Sequence, residues 1–378
     1  MPLLVLFAAG LLAALAGMTA LWARPPKAAV AWPLRIACLL LVIALPIGLT
    51  ADVVNRSLGF YSSWSDLLNS PGDARLAAAA QLRHQQLPTA DLNRAAQQAA
   101  HGHGSIVPWT MPGPKAGLTR DGLVYLPAAY FDRARPTQRF PVIELLHGYS
   151  GSPGNWAHAL HIAAVLDREI SAGRIPPVIA VAPKLYDTHD GECVDAVHGE
   201  RNETYLAVDV PADIGAAFRA STAPGSWSTL GFSTGGFCAV NLALHYPYTY
   251  RAAVSLSGYF TALTDRTTGN LYQGDAAVRR ANSPQWWVRH HPVRPSLYVF
   301  ASGGDRSAMR EARSFRRAVR RNADLTTVTV PSGGHNIGVW KAALPPALDW
   351  LGQRMPSPTT PAVVENNPRS DVQVTLRR

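Results

Sequence analysis

Two almost uncharged apolar runs open the chain, Pro2 to Trp22 and Val30 to Thr50, the second with a single charge at Arg35. Each is about the 20 residues that a helix needs to cross a bilayer. Beyond them, Asp73 to Leu87 and Ala90 to Ala100 are rich in Ala, Gln and Leu, with Pro88 between them. They predict two helices, a stalk or a surface-lying pair, ending at the flexible spacer His101-Gly102-His103-Gly104. From there the pattern shortens. Apolar and β-branched segments recur near Leu123, Val142, Val178, Thr229, Val254, Leu297 and Val328, and most of the gaps between them hold helix-length segments. That alternation predicts an α/β unit with a mostly parallel central sheet covered on both faces. Thr261 to His291 breaks the alternation and reads as a cap, in which Trp286 and Trp287 form either an acyl-chain wall or plain packing. After Met355, Pro, Ser, Thr, Asn and charged residues dominate, which predicts a disordered tail. The expected organisation is therefore an anchor of two transmembrane helices (residues 1–54), a helical linker (55–104), one globular domain (105–354) and a tail (355–378).

Charge orients the anchor. Arg24, Lys27 and Arg35 lie between or just inside the apolar runs, and no basic side chain precedes the first. The positive-inside rule then keeps the short connection in the cytoplasm and sends the large domain outward. A signal peptide followed by a single anchor is an alternative with the same outcome for the domain; a buried hairpin is a third. Net charge is +10, much of it in Arg310 to Arg321, where Ala312, Phe315 and Val319 mark the apolar side of a helix. With the domain outside and no binding fold visible, nucleic acid is not the expected partner. Anionic envelope polymers or lipid head groups suit the charge better. Cys38 falls in the second run, leaving Cys193 and Cys238 as a candidate disulfide or as two separate thiols. No C-x-x-C occurs, and the acidic loop Asp187 to Asp195 departs from a calcium-loop pattern at His189 and Gly191. That loop lines a cleft or is simply solvated; no metal or cofactor is expected.

The chemistry concentrates in Gly231-Phe232-Ser233-Thr234-Gly235-Gly236, between the strand-like Trp227 to Leu230 and the helix-like Phe237 to Leu244. A serine so placed fits the G-x-S-x-G nucleophile elbow, whose acid and histidine partners follow in that order. Asp305 comes just past the strand Pro295 to Ala301, and His335 sits on a glycine-rich loop between the last strand and the last helix. His335 would act as general base and Asp305 would hold its tautomer. Asp305 is equally suited to cap the helix that follows, and Glu311 is the fallback acid. His245, His290 and His291 read as surface or packing residues. Upstream, strand Phe140 to Leu146 leads into His147-Gly148-Tyr149-Ser150-Gly151, a turn that offers the Tyr149 N–H to an oxyanion beside that of Thr234. His147 reads as a loop anchor.

The string Leu123-Val124-Tyr125-Leu126-Pro127-Ala128-Ala129-Tyr130, then Phe140-Pro141-Val142 and His147-Gly148, resembles the esterase family of α/β-hydrolases. That family holds esterase D (S-formylglutathione hydrolase), feruloyl esterases and the antigen 85 mycolyltransferases. The resemblance covers about Ser105 to Leu351. It implies an α/β-hydrolase fold with Ser233 as nucleophile, Asp305 as acid, His335 as base, and Tyr149 and Thr234 as oxyanion donors. Two departures matter. The antigen 85 loop begins Asp-Gly-Leu-Arg, whereas here it is His147-Gly148-Tyr149-Ser150, and the cysteine-containing oxyanion segment of esterase D is missing. The expected function is thus an extracytoplasmic serine esterase or acyltransferase acting on acyl esters or lipids of the envelope. A catalytically idle binding module of the same fold is the alternative, and a soluble cytoplasmic thioesterase is disfavoured by the two apolar spans.

Overall fold

The computed structural model describes residues 2–23, 28–58, 89–320 and 323–360. The expected helix Asp73 to Leu87 and the tail beyond residue 360 lie outside the described residues. Helices α1 (Pro2–Ala23) and α2 (Ala28–Leu58) pair antiparallel. Gly10 faces Leu45, Gly17 faces Cys38 and Gly48 faces Phe7, so small residues let the two backbones approach. By length and composition, α2 holds one stretch able to cross a membrane, Trp32–Thr50, while the apolar part of α1 is the shorter Ala9–Ala23. Helix α3 (Thr89–Ala100) follows.

Eight strands form one sheet: β1 (Ser105–Gly113), β2 (Leu118–Leu126), β3 (Val142–Leu146), β4 (Ile179–Pro183), β5 (Trp227–Phe232), β6 (Tyr250–Leu256), β7 (Ser296–Ser302) and β8 (Leu325–Val330), in spatial order β1-β2-β4-β3-β5-β6-β7-β8. Strands β4 to β8 and β3 run parallel, whereas β1 and β2 are antiparallel additions at one edge. Strand β1 is the element that the hydrophobic pattern did not reveal. Pro108 and Pro112 interrupt it, and proline is tolerated in a sheet only where a ladder donor can be spared, as at this edge.

Side chains alternate across the buried strands, so each face carries its own core. Helices α4 (Ile162–Ser171) and α10 (Ile337–Gly352) cover one face through Leu166, Trp340 and Leu344. The other face is covered by α5 (Val210–Ala217), α6 (Thr234–His245) and α9 (Arg306–Ala318), through Ile214, Phe237 and Phe315. The region between β6 and β7 folds as loops and two short helices, α7 (Ala276–Ala281) and α8 (Pro284–His290), the latter packed on α6 and α9. There Trp287 lies against His245 at 4.3 Å and His291 at 4.1 Å, and Trp286 stacks on His290 at 4.2 Å. Trp287 is therefore engaged in packing the insertion, with His245 and His291 against it, while His290 is exposed beside Trp286.

Parallel register brings the active ends level. Leu146 pairs with Gly231, Leu256 with Phe300, and Ser302 with Val330. The loops after β3, β5, β7 and β8 thus leave the same edge of the sheet, and they carry Tyr149, Ser233, Asp305 and His335.

Candidate active site

Ser233 stands between β5 and α6 with φ 56° and ψ −125°, a conformation that costs a non-glycine residue about 1–3 kcal/mol. The turn is tight enough to exclude side chains on either side. A Cβ on Gly231 would lie 1.9 Å from the Gly235 carbonyl oxygen, and one on Gly235 would lie 2.0 Å from that of Leu146. The Ser233 N–H is tied to the Leu256 carbonyl at 2.9 Å.

His335 comes from the loop after β8, three strands and about 14 Å away from β5 across the sheet. The loop leans back over the sheet edge, and the ring arrives at Ser233 with Nε2 2.8 Å from Oγ. Its Nδ1 lies 2.6 Å from Asp305 Oδ2. The other carboxylate oxygen, Oδ1, accepts the Ala308 N–H at 3.0 Å, so Asp305 caps α9 and faces His335 at once. Burial would push the Asp305 carboxyl up, but the bonds from His335 and the α9 backbone outweigh it and hold the group below the ordinary aspartate range. An ionised carboxylate only accepts hydrogen bonds. The Nδ1 proton therefore points at Asp305, and Nε2 is left to accept from Ser233 Oγ. Beneath the imidazole, Trp340 meets it edge-on at 5.0 Å and stacks on Phe232 at 4.6 Å. Glu311 is elsewhere: its Oε2 accepts the Phe260 N–H at 3.1 Å.

The turn after β3 closes over the serine. A Cβ on Gly148 would come within 2.9 Å of Ser233 Cβ. Among the described residues, the N–H groups of Tyr149 and Thr234 have no protein acceptor. His147 is fully buried, and burial lowers its pKa to about 4. It is therefore neutral, with Nδ1 3.0 Å from the Gly148 carbonyl and Nε2 accepting the Leu185 N–H at 3.3 Å. Tyr186 donates its hydroxyl to the carbonyls of Gly148 and Gly151 at 2.8 and 3.2 Å. Both residues fix the turn.

The acidic loop Asp187 to Asp195 is exposed at Asp187, Thr188 and His189 and buried from Asp190 to Val194. Asp190 and Glu192 are 2% and 0% exposed. Asp190 accepts the Thr234 hydroxyl at 2.8 Å, and Glu192 accepts from Tyr259, Tyr272 and the Leu263 N–H at 2.7–3.0 Å. Cys193 is bonded to Cys238 of α6, with Cα atoms 5.5 Å apart. The loop thus ties the insertion to the helix behind Ser233. Sequence reading missed Asp190, Tyr186 and Trp340 because each acts on a partner remote in the chain; only their closeness to Cys193 or His335 hinted at them. Burial raises the Glu192 pKa to about 7, against the pull of its three donors. A raised carboxyl favours the fold below its unfolded value of 4.5, and that contribution is lost as pH rises through about 7. Thermal melts of Glu192→Gln should accordingly lose part of the decline in Tm that wild type shows between these pH values; identical slopes would mean that Glu192 is ionised throughout.

A doubly covered, mostly parallel sheet with serine, histidine and acid on its strand-end loops defines the α/β-hydrolase class. Residues 115–351, well over half of the chain, match the family model described as "Putative esterase". The protein belongs to this esterase family. A protein of Corynebacterium glutamicum described only as uncharacterized is 28% identical over 247 residues, 62% of this chain and 57% of that relative. The match therefore spans little more than half of the relative's length. Among solved structures, a ferulic acid esterase superposes with a TM-score of 0.58 at 20% identity, covering 67% of this chain and 99% of that one. An S-formylglutathione hydrolase from Agrobacterium tumefaciens gives a TM-score of 0.58 at 16% identity, covering 68% and 97%. At these identities the likeness establishes the fold.

Proposed function

We propose that the protein is a membrane-anchored serine esterase or acyltransferase whose domain lies outside the cytoplasm and acts on acyl esters or lipids of the cell envelope. The observation that carries this reading is the continuous hydrogen-bonded line from Asp305 through His335 to Ser233. In this mechanism Ser233 Oγ attacks the ester carbonyl carbon while His335 Nε2 takes its proton. The carbonyl oxygen becomes an oxyanion facing the Tyr149 and Thr234 N–H groups. His335 returns the proton to the departing alkoxide, leaving an acyl-Ser233 ester. Water, or an acceptor hydroxyl deprotonated by His335, then takes the acyl group and restores the serine. Residues 1–54 serve as anchor, 55–104 as linker, 105–354 as catalytic unit and 355–378 as tail. The wholly unburied Trp32–Thr50 stretch supports the anchor, the charges Arg24, Lys27 and Arg35 support its orientation, and the disulfide suits an oxidising compartment.

A membrane-impermeant fluorophosphonate probe applied to intact cells tests site and side together. Labelling should map to Ser233 and disappear in Ser233→Ala. Labelling only after lysis would refute the outward orientation. A folded protein that takes no label in either condition would refute the esterase reading and favour a binding role.

A further inference from the structure

Helix α9 leaves the candidate site at Asp305 and carries a surface for which the esterase reading has no use. Arg306, Arg310, Arg313 and Arg317 recur at i, i+4, i+7 and i+11, which stacks them on one stripe of the helix, and all four are exposed. Ala308, Ala312 and Phe315 hold the opposite face in the core. Arg320 extends the stripe past the helix end, where its guanidinium donates to the carbonyl of the exposed Arg289 on α8 at 3.2 Å. Among the described residues, none of these arginines forms a salt bridge. Glu311 is the sole acid on α9, and it is turned inward onto the Phe260 N–H.

Like charges at i,i+3 and i,i+4 oppose helix formation. This stripe contains such pairs in succession with no counter-charge on the helix itself, so an anionic surface outside the domain would relieve the repulsion. We propose that the stripe docks on the anionic head groups of the membrane that holds the chain's own apolar helix, an inference that rests on the anchored reading above. Charge complementarity is the first argument, since each arginine near an anionic bilayer is attracted independently of sequence context. Reach is the second: even with Asp73 to Leu87 helical, as the sequence predicts, the chain between Leu58 and Thr89 is long enough to bridge up to about 75 Å, ample for the domain to lie back on the bilayer. Position is the third. The stripe starts at the residue after Asp305, so docking along α9 sets the Ser233–His335 pair beside the lipid surface, where esters of low water solubility are concentrated.

The test uses the full chain with Cys38→Ser and Ser314→Cys, a fluorophore on the latter, reconstituted into vesicles containing nitroxide head groups. Phosphatidylcholine vesicles are compared with ones containing one-third phosphatidylglycerol. Quenching should occur on the anionic vesicles and vanish at high salt. In Arg310→Gln/Arg313→Gln/Arg317→Gln it should weaken by about 100-fold in the docked-to-undocked ratio, with the melting temperature retained as evidence of folding. Equal quenching on neutral vesicles, or indifference to the triple substitution, overturns the proposal. So does absence of quenching on anionic vesicles; arginine-dependent binding of soluble polyphosphate in its place would assign the face to a polymer. Alkaline carbonate extraction of the neutral vesicles reads the anchor separately. A chain stripped there refutes the anchored reading, whereas a chain retained there but not quenched on the anionic vesicles overturns the docking alone.

Discussion

Replacing Ser233 with alanine should lower kcat for a simple activated ester by about 10⁶-fold, leaving a residue of activity from binding and the oxyanion donors alone. The size follows from covalency: without Oγ there is no acyl-enzyme, and water must attack in a single harder step. His335→Ala should cost a comparable amount, and Ser233→Ala/His335→Ala little more than either, because the pair works as a unit. Asp305→Asn is the finer probe. Asparagine still offers an oxygen to the Ala308 N–H, so the α9 cap survives, but its amide no longer demands a proton on Nδ1. A loss of about 10⁴-fold in kcat with near-normal Tm is expected. Asp305→Ala removes the cap as well and should cost about 1 kcal/mol of stability in addition. Steady-state kinetics with a chromogenic ester on folded variants decides the matter; Ser233→Ala within tenfold of wild type would end the serine-esterase reading.

Breaking the Cys193–Cys238 bridge is expected to have the largest effect on stability. The two residues are 45 apart in sequence, and releasing a loop of that length returns about 4 kcal/mol of chain entropy to the unfolded state. For a domain of this size each kcal/mol corresponds to about 2–4 °C in Tm, so Cys193→Ser/Cys238→Ser should melt about 8–16 °C lower. Activity should fall too. Asp190, three residues before Cys193, holds the Thr234 hydroxyl, and the freed loop would let the N-terminus of α6 shift beside Ser233. Melting curves of oxidised and fully reduced protein test this directly; coincident curves with thiols verified free would show that packing alone secures the loop.

Seven of the eight strands were legible because each is a short β-branched or apolar segment bounded by turn residues. The eighth, β1, was hidden by Pro108 and Pro112, which only an edge position excuses. Ser233 was legible for a local reason: strand, tight turn and helix are contiguous in the chain, so the glycines required by the turn sit beside the serine they serve. Asp305 was less so. Whether it or Glu311 faces the histidine depends on which way α9 is rolled against the sheet, and Phe315 packed on Phe260 at 4.1 Å sets that roll. The acidic loop is solvated at Asp187 to His189, as its composition predicts, but the burial of Asp190 and Glu192 was not legible, because their carboxylates find their donors in Thr234, Tyr259 and Tyr272, none of them a near neighbour in sequence.

The chain by itself determined the apolar N-terminal segment, the alternation of strand and helix, the elbow at Ser233 and the order in which acid and histidine follow it. All of these are written in local hydrophobic period, turn chemistry and spacing. Only the tertiary structure decided that β3, β5, β7 and β8 end level, that the His335 loop crosses two intervening strands to reach Ser233, that Asp305 rather than Glu311 meets the imidazole, and that Cys193 lies against Cys238. Each of those depends on strand order and register or on the roll of a helix. They are set by burial on both faces of one sheet, a property of the whole assembly that no short window of residues contains.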